Sequence, residues 1–246
     1  MNQTGHTVLI TGGASGIGLA LAEQFLRYDN KVIVVGRNDS KLAEARERNR
    51  NLTTIRCDLN SEHELNTLVR RLYEEYPNLS VLINNAGVQY NYSFLEGDSA
   101  QITGRIADEV GINLVAPLQL TAGLLPLLSS QEQSAIVNVS SGLGLVPKQS
   151  APVYCATKAG LHLFTKALRY QLETTRTKVF EILPPLVDTD MTRGRGYGKI
   201  TAEALAREFW ASYLQDRLEV AIGKVKLLRL LNRIVPSRAE ALLKNS

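Results

Sequence analysis

Tyr154 and Lys158 stand four residues apart in a stretch, Val153 to Leu172, whose apolar spacing predicts a helix, so their side chains share one face. A lysine ammonium held near a phenol favours the phenolate and lowers its pKa from about 10 toward working pH. A poor base then becomes a usable proton shuttle. Alone the pair is weak evidence, because a chain with nine tyrosines is expected to show one such match on a solvated helix face. Ser141 strengthens it, lying at the carboxyl end of a predicted strand, where open parallel sheets bind ligands. The adjacent Ser140 points to the strand's other face and is the less suitable hydroxyl.

A second cluster could hold phosphate. Thr11-Gly12-Gly13-Ala14-Ser15-Gly16-Ile17-Gly18 follows the first predicted strand directly. Its spacing is not that of the G-x-G-x-x-G fingerprint, but the roles can be the same: Gly12 allows a tight turn, Gly16 lets backbone approach a pyrophosphate, and Gly18 permits close helix packing. The helix that starts there supplies amide donors and a positive dipole end. An ordinary glycine-rich turn is the alternative. At the end of the second strand, where an acidic residue would bond a ribose 2′-hydroxyl and repel a 2′-phosphate, the chain has Gly36 and then Arg37. A guanidinium matches phosphate oxygens, which predicts NADP(H) over NAD(H). Asp39 is read as the cap of the next helix.

The elements that position these residues alternate. Strands are predicted at Thr7–Thr11, Lys31–Val35, Thr53–Cys57, Ser80–Ile83, Ala135–Val139 and Lys178–Leu183. Helices are predicted at Gly16–Tyr28, Lys41–Arg48, from a capping box at Ser61 to Glu64 on to Tyr76, through Ala100–Leu128, and at Val153–Leu172. Such alternation implies parallel strands with right-handed crossovers, hence an α/β doubly wound, Rossmann-like sheet in three αβα layers. The 246 residues, 44% hydrophobic and 21% charged, read as a single domain, 1–246, with no linker or repeat. Residues Pro184 to Lys199 read as a structureless loop of the length usually reserved for function, so 184–219 is expected to form a substrate lid, with a helix over Thr201–Leu218.

Net charge is +4, yet residues 217–246 alone carry seven basic against two acidic side chains, leaving the rest near neutral. With no aromatic residue in that tail, nucleic acid is not an expected partner. Val225, Leu227, Leu228, Leu231 and Val235 form an apolar stripe in a basic helix that Pro236 should end, within a C-terminal helical extension, 224–246. It could cover the body or a second copy of the chain, or lie peripherally on a membrane. Remote in sequence from every motif, it is expected to affect association before chemistry. Cys57 and Cys155 are too few for a disulfide framework, and no apolar run approaches 18 residues, so a cytoplasmic protein with no transmembrane segment is expected. His6, His63 and His162 fall on different elements, and no metal site is expected. Tyr90, Tyr92, Phe94, Met191, Tyr197, Phe209 and Trp210 are open between a pocket wall and ordinary packing.

In the order of these motifs, from Thr7 to about Thr192, the chain resembles the short-chain dehydrogenases/reductases. The resemblance implies a catalytic set of Asn113, Ser141, Tyr154 and Lys158: Tyr154 exchanges a proton with the substrate oxygen, Ser141 hydrogen-bonds it, Lys158 tunes Tyr154 and holds the nicotinamide ribose, and Asn113 holds a water behind Lys158. It also implies NADP (NADPH) contacts from Gly12, Ala14, Ser15, Gly16, Ile17, Gly18, Arg37, Asp58, Leu59, Asn85, Ala86, Gly87, Tyr154, Lys158, Val187 and Thr189. A small-molecule carbonyl or alcohol substrate and a homodimer or homotetramer follow from the same likeness. Pro184-Pro185 departs from the family's usual Pro-Gly, and Ser15 stands where many NADP-preferring members have a second basic residue. The basic C-terminus resembles a bacterial subgroup named for lipoteichoic-acid D-alanylation. A dinucleotide-binding regulatory or membrane-associated protein without turnover is the competing function, and retention of all four catalytic residue types argues against it.

Overall fold

In the computed structural model, which describes residues 1–245, the chain begins with β1 (Thr7–Thr11), α1 (Gly16–Leu26), β2 (Lys31–Gly36), α2 (Asp39–Arg48), β3 (Leu52–Arg56) and α3 (Glu62–Glu75). It continues through β4 (Leu79–Asn84), α4 (Ser99–Val110), α5 (Ala116–Ser129), β5 (Ser134–Val139), α6 (Pro152–Gln171) and β6 (Thr177–Leu183). Two short strands, β7 (Val187–Asp188) and β8 (Ile200–Thr201), precede α7 (Ala202–Leu214), β9 (Glu219–Ala221), α8 (Val225–Ile234) and α9 (Pro236–Leu243). Seven strands form one parallel sheet in the order β3-β2-β1-β4-β5-β6-β9. The chain starts at the centre, winds out to β3 and returns to place β4 beside β1. That reversal opens a crevice at the carboxyl ends of β1 and β4, where doubly wound sheets bind ligands.

Apolar runs make these strands because both sheet faces are covered. Every residue of β1, β4 and β5 is buried. Alternate side chains supply two cores: Val8, Ile10, Val32 and Val34 meet Phe25, Phe209, Trp210 and Tyr213, while Leu9, Ile33, Leu82 and Ile136 meet Leu68, Leu120 and Leu124. Phe209 and Trp210 are thereby core residues and no pocket wall. Ser99–Ser129 has the length and hydropathy of a membrane span, but Ile112, Ala116, Leu120, Leu124 and Leu128 spend its apolar face on this protein's interior.

Several local expectations need correction. Asn38, not Asp39, caps α2, its side chain accepting the Lys41 N–H at 2.9 Å, while Asp39 faces Arg56 at 3.8 Å. The capping box at Ser61 is half formed: Ser61 accepts the Glu64 N–H, but Glu64 turns away to the Asp58 N–H and to Arg56. The long helix is not uniform, because a π turn at Gly111–Val115 joins α4 to α5. Residues 184–199 are not structureless: β7 pairs with β8, a 3-10 turn covers Asp190–Thr192, and the helix that follows stops at Leu214.

The tail folds back on the body. Val225 and Leu228 are buried against Leu145, Val146 and Leu183, and Asn232 and Lys244 hydrogen-bond the backbone of Leu145 and Gln149. Part of the predicted stripe therefore has a partner, whereas Leu227 stays exposed with Leu230 and Ile234.

Candidate active site

Tyr154 and Lys158 enter from α6, both nearly buried, and Ser141 closes on them from the turn after β5. Lys158 Nζ donates to Val139 O at 2.8 Å and lies 5.8 Å from the Tyr154 ring centroid. Burial lowers the Lys158 pKa to about 8, because desolvation penalises its charge. The same burial pushes the Tyr154 phenol up to about 12, against a hydrogen bond with Ser141 and the charge of Arg195, which pull it down. Burial therefore moves Tyr154 in the direction opposite to the expected depression, and the Lys158 ammonium is anchored to the end of β5. Gly144 permits the approach of the Ser141 turn to α6: a Cβ there would lie 2.9 Å from the Lys158 carbonyl.

Asn113 sits in the π turn, a distortion of the kind that concentrates at functional sites. Its Oδ1 accepts the Val88 N–H at 2.8 Å, and its Nδ2 donates to Val88 O and to Thr157 Oγ1. The amide thus clamps the segment after β4 to α6, leaving one Oδ1 lone pair for the expected water. A Cβ on Gly87 would lie 3.2 Å from Asn113 Oδ1 and 3.5 Å from Lys158 Nζ, so glycine there lets both groups approach one spot.

The glycine loop fits a dinucleotide phosphate. Gly12 and Gly16 adopt left-handed φ values of +63° and +53°, and a Cβ on Gly18 would fall 2.3 Å from Gly12 O. Ser15 precedes α1 in extended conformation with no side-chain cap, so the amides of that first turn, with Ile17 and Gly18, face the crevice uncapped. Asn85 braces the loop by donating to Thr11 O and Gly12 O, while Ala86 N–H bonds Thr11 Oγ1. Thr189 closes from the other side, its Cγ2 3.0 Å from where a Gly16 Cβ would stand, and next to Ala14 and Gly13 the floor is tight. The Pro184-Pro185 turn thus still brings Thr189 to the loop, although Val187 is buried and its carbonyl accepts from Thr192 Oγ1. Toward β3, Asp58 is partly exposed, Leu59 sends its side chain into the core, and Arg37 is exposed with no ion-pair partner among the described residues.

Three participants escaped the sequence reading. Glu109, four residues before Asn113 on the same helix face, is wholly buried, accepts the Tyr90 N–H and the Tyr92 O–H, and has its pKa raised by burial. An acid inside an apolar helix was the available signal. Thr157 supports Asn113, and Arg195 acts on Tyr154 from residues 184–199. Ser140 does face away, donating to Glu181 at 2.5 Å, and His162 holds the same buried carboxylate at 2.9 Å.

A doubly wound sheet with a phosphate-fitting glycine turn and a Tyr-Lys-Ser-Asn set at its switch point defines a dinucleotide-dependent oxidoreductase. Residues 6–200 match the short chain dehydrogenase family, and the chain belongs to that family. It is 41% identical to the uncharacterized oxidoreductase DltE of Bacillus subtilis (strain 168) over 89% of this chain and 86% of that protein, in keeping with the subgroup that its C-terminus resembles. Among solved structures it is similar to a Burkholderia cenocepacia short chain dehydrogenase in complex with NADP, at TM-score 0.87 and 23% identity over all of both chains. A Burkholderia phymatum short chain dehydrogenase/reductase in complex with NAD superposes at TM-score 0.86 and 20% identity, covering 100% of this chain and 98% of the other.

Proposed function

We propose that the protein reduces a carbonyl compound to an alcohol with NADPH, and runs the reverse with NADP. The observation that carries this reading is the buried Tyr154 phenol between Ser141 and Lys158 at the carboxyl end of β5. The nicotinamide, when bound, supplies or accepts the hydride. Ser141 Oγ accepts the Leu143 N–H at 3.1 Å, which fixes the hydroxyl beside the Tyr154 phenol, where it can hydrogen-bond the substrate oxygen. Tyr154, with a pKa of about 12, keeps its proton at neutral pH and donates it to the developing alkoxide. In the oxidation direction that proton must leave first, so rate rises with pH. Lys158 binds the ribose, and Asn113 maintains the path behind it. Residues 184–219 act as the substrate lid.

NADP(H) preference rests on Arg37, since the neighbouring acid, Asp39, faces Arg56 instead. Two buried free thiols, Cys57 and Cys155, suit a reducing cytoplasm. Exposed Leu163 and Tyr170 on α6 offer a contact for a second copy, which supports a homo-oligomer.

NADPH oxidation with a panel of carbonyl compounds tests the reading. Tyr154→Phe should cut kcat by about 10²–10⁴ while NADPH still binds. Near wild-type kcat in that variant would overturn the mechanism, and NADPH binding with no turnover of any carbonyl would favour a binding protein.

A further inference from the structure

The helix α8 has two apolar faces, and the body of the protein covers one of them. Val225 and Leu228 are buried, whereas Leu227, Leu230 and Ile234 fall at i, i+3 and i+7 on another side of the same helix and keep more than half of their surface in water. Single exposed apolar residues need no explanation, but a continuous row about 10 Å long calls for a cover. Cations border the row. Lys226 and Arg229 are spent on Glu208 and Glu219, which secure the helix, while Lys224 at its start, Arg233 near its end and Arg238 on α9 are exposed and have no ion-pair partner among the described residues. Glu240 is the one acid in residues 224–246, against six basic side chains.

A second copy of the chain is a poor cover for such a face. A two-fold contact sets the same surface against itself, which would press one basic rim onto the other with almost no acid to separate them. An anionic lipid surface answers both features at once: the acyl boundary takes the apolar row, and the headgroups take the cations. The loop before β8 reaches the same place. A Cβ on Gly198 would lie 2.8 Å from Lys224 Nζ, so that loop touches the start of α8, and the neighbouring Tyr197 is 99% exposed. Tyrosine, with an apolar ring and a polar tip, suits the boundary between lipid and water.

We infer that α8 docks the protein peripherally on an anionic membrane surface, with Leu227, Leu230 and Ile234 entering the bilayer interface and Lys224 and Arg233 lying among the headgroups. Val225 and Leu228 keep their places on the body, so docking needs no unfolding of the tail. It needs no turnover either, and stands whether or not the chain reduces a carbonyl compound.

Flotation of the full-length protein with lipid vesicles tests the inference. Vesicles of phosphatidylcholine with about 30% phosphatidylglycerol should bind the wild type at least about tenfold more tightly than phosphatidylcholine alone. Leu227→Gln combined with Ile234→Gln, and separately Lys224→Gln combined with Arg233→Gln, should each weaken that binding by at least about tenfold. All four side chains are exposed, so thermal melts of both variants should match the wild type. Leu230→Trp supplies a direct probe of insertion, because Trp210 is buried and gives a constant background. Its emission should shift to the blue on the anionic vesicles. No binding to those vesicles, equal binding to both lipids, binding that survives the Leu227 and Ile234 substitutions, or an unmoved Leu230→Trp emission would overturn the inference. A subunit count that falls in the Leu227→Gln, Ile234→Gln variant on sedimentation would also overturn it and assign the face to a second copy.

Discussion

In the proposed mechanism Lys158, one buried side chain, carries two duties with opposite demands. Its ammonium must stay charged to hold a ribose, yet burial has brought its pKa to about 8. The charged form is complete well below that pH and is lost above it. Apparent NADPH affinity should therefore weaken about tenfold between pH 7 and 9, the loss set by the uncharged fraction of the free enzyme. Lys158→Met should bind weakly at both pH values. A wild-type dissociation constant flat across this range would remove the ribose role. Arg37 makes the complementary prediction. Its exposed guanidinium should favour a 2′-phosphate, so Arg37→Ala should lower the NADPH to NADH ratio of kcat/KM by about 10–100-fold, the loss of one charge-assisted bond. An unchanged ratio would assign cofactor choice elsewhere.

At the scale of elements, the junctions carry the site. The glycine loop has its shape because Gly18 brings the first turn of α1 onto Gly12, with Asn85 bonded to the same carbonyl. Gly18→Ala must push the helix or the loop aside at a 2.3 Å contact, which should cost about 1–3 kcal/mol and displace the phosphate amides. Thermal melts with and without NADPH would reveal both effects, as a lowered Tm and a lost ligand shift. A variant with wild-type values of both would mean that the loop relaxes freely. The π turn does a similar task in the long helix: it places Asn113 to clamp Val88 while Glu109, one turn earlier, holds Tyr90 and Tyr92.

For the whole molecule, the basic C-terminus is the element whose placement changes its meaning. Val225 and Leu228 pack on Gly142, one residue beyond Ser141; a Cβ on Gly142 would meet them at 3.1 and 3.4 Å. Lys226 and Arg229 pair with Glu208 and Glu219, securing the helix to α7 and β9. Truncation after Gly223 uncovers this apolar contact, worth about 3–5 kcal/mol for two buried aliphatic side chains. The truncated protein should melt about 6–20 °C lower and lose at least about tenfold in kcat through the Ser141 turn. Sedimentation and liposome binding complete the test: full activity with altered association would return the tail to the peripheral role that its distance in sequence suggests.

The sequence by itself determined the alternation of strands and helices, the glycine loop and the Ser141, Tyr154 and Lys158 set, because period, turn chemistry and residue type are local and survive without coordinates. It could not show that Asn38 outcompetes Asp39 as a cap or that Glu64 leaves Ser61 for Asp58, since these are choices among neighbours decided by packing. The π turn was equally hidden, as its apolar pattern reads as an ordinary helix. Tertiary structure alone decided the sign of the Tyr154 shift, because desolvation depends on everything that covers the phenol, which a lysine four residues away in sequence does not reveal. It also brought the tail to the turn that carries Ser141. Contacts between segments distant along the chain leave no periodic trace in either partner, so only the folded arrangement reveals them.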